Sequence, residues 1–126
     1  GLAKKRFKKE HLSGEFKVGD ITEIDYPDNN FDCVVDIACI QCNSPKNIKM
    51  IIPEVCRVLK KGGRVFSMMR AKDVYMVDWP GQTHFFSQVE IKNLFEEFRE
   101  LNIGYVKTKD KYKNRTYKFW VVSAKK

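Results

Sequence analysis

Two acids, a pair of cysteines and one histidine are the positions in this chain whose types and spacing could do chemistry. Asp36 lies inside the apolar run Cys33 to Ile40, where a carboxylate is costly unless something pairs with it. It therefore meets a ligand or caps a neighbouring loop. Asp20, in Gly19-Asp20-Ile21, is a residue of the type that forms a turn ahead of a loop. Cys39-Ile40-Gln41-Cys42 has the CxxC spacing of zinc and redox sites. Zinc needs two further ligands, the only histidines are His11 and His84, and alternation along a strand points Cys39 and Cys42 to opposite faces, so no metal is expected. His84, beside Phe85 and near Trp79, either acts as a base or orients a substrate, or is a ring packed on aromatics, and packing is the preferred reading. Tyr75 and Trp79 line a substrate pocket or close the core.

These positions need a scaffold, and the stretch Phe31 to Met68 supplies its centre. Cys33 to Ile40 is too short and too β-branched for a helix and reads as a buried strand. Ile48, Ile51, Ile52, Val55, Val58 and Leu59 then recur at three- and four-residue spacing, one face of a helix. Ser44 or Asn43 caps it and Pro45 suits its first turn. Pro53 is expected to kink the helix or move its start, and Gly62 or Gly63 to stop it. Arg64 to Met69 is a second strand. Strand, helix, strand is a parallel crossover, and such sheets normally carry helices on both faces.

The flanks are read in the same way. Leu2 to Leu12 is helical with Leu2, Ala3 and Phe7 inward, and Glu15 to Val18 is a short strand. Tyr26 to Asn30 is a turn, and Arg70 to Phe86 a long loop. Ser87 and Glu90 form a capping box for a helix burying Ile91, Leu94, Phe95 and Phe98, which ends around Asn102 and Gly104. Gly104 to Lys109 and Thr116 to Ala124 pair as a hairpin.

A chain of 126 residues supports one core, so residues 1–126 are expected to act as a single unit. No apolar run reaches membrane-spanning length. The four cysteines fall in predicted element interiors, which suits reduced, mostly buried thiols and a cytoplasmic protein. The net charge of +8 is peripheral: residues 1–10 hold five bases and one acid, and residues 107–126 eight bases and one acid. Such ends either draw in phosphates or are solvated surface that discourages edge pairing.

In order and separation, Gly19-Asp20-Ile21, Tyr26 to Asp32, and Glu54-Val55-Cys56-Arg57-Val58-Leu59-Lys60-Lys61-Gly62-Gly63-Arg64 resemble the later two-thirds of a class I S-adenosylmethionine-dependent methyltransferase. His84-Phe85-Phe86-Ser87, a helix and a closing hairpin resemble the end of the same family. The resemblance implies an α/β fold: a Rossmann-like methyltransferase sheet, truncated at the N-terminus and ending in an antiparallel hairpin. The family's first strand, its glycine-rich turn and the ribose-holding acid are not among these residues. The expectation is therefore a partial domain, inactive or weak alone, whose sheet a second chain or copy completes.

The resemblance also implies roles. Asp20 and the Ile21 backbone correspond to the adenine clamp, and Asp36, Ile37 and Ala38 to the segment beside the methionine part and transferable methyl. Apart from the resemblance, Cys39, Tyr75, Trp79 and His84 are the candidate contacts to a small-molecule substrate. Methyl transfer from a sulfonium needs alignment and exclusion of water more than acid–base groups, which fits the lack of a triad. A non-catalytic basic module binding nucleic acid through Lys4 to Lys9 and Lys107 to Lys118 ranks below this reading.

Overall fold

The structure is a computed structural model that describes residues 1–72, 83–112 and 114–126. Its centre is the expected crossover. Strand β1 (Phe31–Ile37) runs parallel to β2 (Leu59–Arg70) through helix α2 (Pro45–Val58). β1 stops before Ile40 because Ala38 turns to φ 60°, a region that residues with a β-carbon rarely adopt, and Ile40–Cys42 then forms a single 3-10 turn. α2 begins where Ser44 accepts a hydrogen bond from the Asn47 amide at 3.2 Å. It buries Ile48, Ile51, Ile52, Val55 and Val58.

Of the two outcomes expected at Pro53, the moved start does not occur: the helix begins at Pro45 and continues through Pro53, whose exposed ring tolerates the loss of one backbone bond because the apolar face on either side is buried. It ends at Val58 with Leu59 already extended, not at the glycines. Gly62 (φ 81°) and Gly63 instead shape an irregularity in which β2 advances five residues while β1 advances two. A side chain at Gly63 would come within 2.8 Å of the Lys60 carbonyl.

Helix α3 (Gln88–Leu94) is capped by Ser87, which accepts from the Glu90 amide. It ends earlier than expected: Asn102 and Gly104 belong to strand β3 (Arg99–Asp110), paired antiparallel with β4 (Arg115–Lys125). Pairing with β4, including Ile103 opposite Val122, outweighs the local bend signals. β4 also pairs antiparallel with β2, giving the order β1-β2-β4-β3.

Helix α1 (Leu2–Lys9) forms but buries none of its residues. The strand expected at Glu15 to Val18 does not form; a strand needs a neighbour's edge for its backbone bonds, and only the isolated Asp20–Glu23 bridge occurs nearby. Coverage of both sheet faces is likewise not what the described residues show. The core made by Val65, Met69, Trp120, Val122 and Ala124 with Ile51, Ile52, Val55, Ile91 and Phe95 lies on one face. Val35, Ile37, Phe66 and Val106 project from the other and are exposed. The cysteines are corrected too: Cys33, Cys39 and Cys42 are exposed and Cys56 is half-buried, because β1 is an edge strand and the turn after it lies at the surface. Among the described residues no helix is long and apolar enough to cross a membrane.

Candidate functional site

Because β1 and β2 are parallel, their carboxyl ends coincide, and in open α/β sheets ligands bind outside those ends. The turn leaving β1 is fixed there by Asp36. Its Oδ1 accepts from the amides of Cys39 (2.9 Å) and Ile40 (3.2 Å), and its Oδ2 accepts from the Ser67 hydroxyl at 2.5 Å. Ser67 is the β2 residue opposite Asp36 in register. Of the two sequence readings of this buried acid, the loop cap is what the geometry shows. The carboxylate holds Ala38 in its left-handed turn, aided by the Ala38 amide donating to the Met68 carbonyl (3.1 Å), and so presents Ile37 and Cys39 outward.

Facing that turn is the loop carrying Ile21. Asp20 Oδ1 accepts from both the amide and the hydroxyl of Thr22, at 2.8 and 2.7 Å. Those bonds hold the carboxyl below the usual aspartate range, so at neutral pH it is an acceptor only, and Oδ2 receives no bond from the described residues. The loop is anchored to α2 by Glu54 and Arg57. The Ile24 amide donates to Glu54 Oε1 (2.9 Å), and Arg57 donates to the carbonyls of Ile24 and Tyr26 (2.8 Å each), to Asp28 (2.9 Å) and to both Glu54 oxygens. Hydrogen bonding to Arg57 holds Glu54 below the usual glutamate range, and the two acids push Arg57 upward.

Between loop and turn lies a cavity of about 200 Å³, whose wall includes Ile21, Ile24, Asp36, Ile37, Cys39 and Ile40. Ile21, Asp36, Ile37 and Cys39 are thus brought together, with Asp20 and Ala38 adjacent in sequence to its wall. His84 is not part of that wall. Its amide donates to the Gln41 carbonyl (2.7 Å), its Nε2 meets Glu90 Oε1 (2.7 Å), and its ring stands edge-on to Phe86 at 4.6 Å. Its surroundings combine packing on an aromatic with this polar contact to Glu90. Tyr75 and Trp79 lie outside the described residues.

Cys39 and Cys42 occupy the turn and the 3-10 segment rather than a strand, so the alternation expected of them does not apply. Partial burial, then the neighbouring Asp36 and Cys42, push the Cys39 thiol up, leaving it neutral at pH 7. Among the described residues no group of three or more His, Cys, Asp or Glu is placed to hold a metal.

Sequence reasoning missed the residues that hold the site in shape. Gln41 is buried, and its Oε1 accepts from the Arg70 amide (2.8 Å), tying the 3-10 turn to the end of β2. The spacing of Glu54 and Arg57 on one helix was visible but pointed to no partner, because that partner is a loop some 30 positions upstream.

The methyltransferase domain family matches residues 1–63, half of the chain, and the chain belongs to that family. No curated protein matches it in sequence. In fold it is similar to a SAM-dependent methyltransferase from Methanosarcina mazei, at 20% identity and TM-score 0.71, over 91% of this chain and 68% of that one. It is also similar to the 1,6-didemethyltoxoflavin-N1-methyltransferase of Burkholderia thailandensis, solved with 1,6-didemethyltoxoflavin and S-adenosylhomocysteine, at 17% identity and TM-score 0.75, over 98% and 56%. TehB from Haemophilus influenzae aligns at 22% identity and TM-score 0.74, over 98% and 44%. At these identities the likeness is one of fold, and the chain spans between 44% and 68% of these three proteins' lengths. The fold is that of a Rossmann-like methyltransferase sheet, and the family is one of methyltransferase domains.

Proposed function

We propose that this chain is part of an S-adenosylmethionine-dependent methyltransferase acting on a small molecule, with the cofactor's adenine end held by Asp20 and Ile21. The observation that carries the reading is the shared cavity: Ile21 faces Ile37 and Cys39 across about 200 Å³ at the carboxyl ends of the parallel strands. The residues fit the group chemically. An ionised Asp20 with a free Oδ2 suits the donor amine of adenine, and Ile21, Ile24 and Ile37 suit a flat apolar ring. The cofactor supplies an activated methyl. The protein's own residues position it, with Asp36 fixing the turn that carries Ile37 to Cys39 and Arg57 fixing the loop that carries Ile21. The chain acts as one unit, 1–126, and holds the cofactor weakly by itself, because its residues include no glycine-rich turn. The edge of β1, unpaired among the described residues, and the exposed face around Val35 and Ile37 support completion of the sheet by a second chain or copy.

Amide chemical shifts on titration with S-adenosylhomocysteine test this reading. The expected result is weak, saturable change confined to Asp20, Ile21 and Ile37 to Cys39, abolished by Asp20→Ala. Changes elsewhere and none at those residues would sink the site, and calorimetry showing micromolar affinity for this chain alone would sink the claim of weak binding.

A further inference from the structure

The two ends of the sheet treat their positive charges differently. At the end away from the cavity four of the bases are partnered, while Lys61 and Arg99 make no ion pair among the described residues. Arg64 lies 2.9 Å and Lys125 3.7 Å from Glu100, Lys60 lies 3.1 Å from Asp32, and Lys126 donates to the Leu59 carbonyl at 2.7 Å. At the cavity end, Lys72, Lys107, Lys109, Lys111 and Arg115 make no ion pair among the described residues.

Topology is what gathers them there. β4 runs antiparallel to β2, so its first residues stand beside the carboxyl end of β2. Phe119 pairs with Arg70, and the Lys118 carbonyl accepts from the Ala71 amide at 3.0 Å. β4 starts at Arg115, three residues earlier, so the hairpin overhangs the sheet end by roughly 10 Å at about 3.4 Å per residue. β3 travels with it, placing Lys107 opposite Lys118 and Lys109 opposite Thr116. Asp110 is the one acid in residues 105–126.

Edge protection accounts for lysines on β3, which is an edge strand. It does not account for Arg115 and Lys118 on β4, which has neighbours on both sides. Lys107 and Lys118 are a directly opposed like-charge pair, an arrangement that weakens a ladder. Their ammonium groups lie 5.5 and 4.8 Å from the centre of one Tyr105 ring. Lys118 also lies over the Trp120 ring at 4.0 Å, and a one-signed field at the mouth of a site concentrates ligands of the opposite sign.

We infer that the methyl acceptor is a small molecule bearing carboxylate or phosphate groups, drawn to the carboxyl end of the sheet by this overhang of Lys107, Lys109, Lys111, Arg115 and Lys72. The inference rests on the methyl-transfer reading for the word acceptor; the anion site itself can be measured separately. The probes are citrate and inorganic phosphate, each titrated at constant ionic strength with amide shifts as readout. Saturable shifts are expected at Lys72, Lys107 to Lys111 and Arg115 to Lys118. The double variant Lys107→Gln, Lys109→Gln is expected to weaken them about tenfold while amides elsewhere keep their positions, showing the fold intact. A stronger response to citrate assigns carboxylates, and a stronger response to phosphate assigns phosphate esters. Three results overturn the proposal: shifts that sodium chloride alone reproduces, equal affinity in the double variant, or a single-stranded oligonucleotide binding these residues more tightly than citrate at physiological salt. Loss of the anion response with S-adenosylhomocysteine shifts intact removes the anion site only, whereas the reverse removes the cofactor reading and leaves the anion site standing.

Discussion

One sheet carries two faces of similar chemistry and opposite fate. On the helix side, Val65, Met69, Val122 and Ala124 are at most 1% exposed beneath α2 and α3. On the other side Val35 is 62% and Ile37 59% exposed, although both are β-branched residues of the same kind in register with β2. α1, whose Leu2 is also exposed, buries none of its own residues. The difference teaches that these strands form because their backbones pair and one face is buried, while the other face is made of residues suited to a cover that the described residues do not supply.

The sharpest way to break this comparison is to delete one large side chain from each face. Phe95→Ala, on the covered side, should cost about 3–5 kcal/mol, since Phe95 is wholly buried against the sheet. Ile37→Ala should cost about 1 kcal/mol or less, its side chain being mostly in water already. Urea denaturation of the two variants measures the gap, and equal losses would mean that the open face is packed after all.

A smaller effect should come from the one acid on the covered face. Asp36→Ala leaves the amides of Cys39 and Ile40 and the Ser67 hydroxyl without their acceptor, at about 1–3 kcal/mol for a buried group left unsatisfied. Asp36→Asn keeps an acceptor for the amides, and Ser67 can turn its hydroxyl to accept from the new amide nitrogen. Its loss should therefore be the smaller of the two in the same denaturation series, and equal losses would show that the charge, which both variants remove, rather than the hydrogen bonding fixes the turn.

How much of this was legible beforehand depended on how local each cause is. The βαβ unit, the Ser44 and Ser87 caps and the hairpin were legible because spacing and cap chemistry act within a few residues. Glu15 to Val18 was misread because β propensity says nothing about whether a partner edge is at hand. The end of α3 was misplaced because Gly104 is a breaker by type, yet it sits opposite Val121 in a long ladder. At the site, Asp36 declared itself as an acid in an apolar strand, and the Cys39 and Ile40 amides it caps are local, but its other partner, Ser67, lies 31 positions away in register on β2. Gln41 and the Arg57 anchor were invisible for the same reason.

The Arg57 anchor offers a test by pH on the same α2 that covers the sheet. Glu54 is held below its ordinary range by Arg57, so its contribution to stability is fully present above the unfolded value of about 4.3. It is lost as pH falls through the lower folded value. Wild type should therefore lose stability below about pH 4.3 more steeply than Glu54→Gln, when denaturation midpoints are compared across the acid range. Parallel curves would show that the Glu54–Arg57 bonds do not survive in solution.

The smallest expected effect on the isolated chain is the most informative about the open face. Val35→Lys places a charge where the side chain already faces water, so the stability of the chain alone should move by no more than about 0.5 kcal/mol. Association is another matter. A second copy covering this face would have to bury the new charge without a partner, which is unfavourable enough to abolish a modest interface. Light scattering over a concentration series separates the cases. A wild type that associates and a Val35→Lys variant that does not would identify the face as the contact. A wild type that stays monomeric at every concentration would exclude a second copy as the cover and leave a different chain as the occupant to be sought.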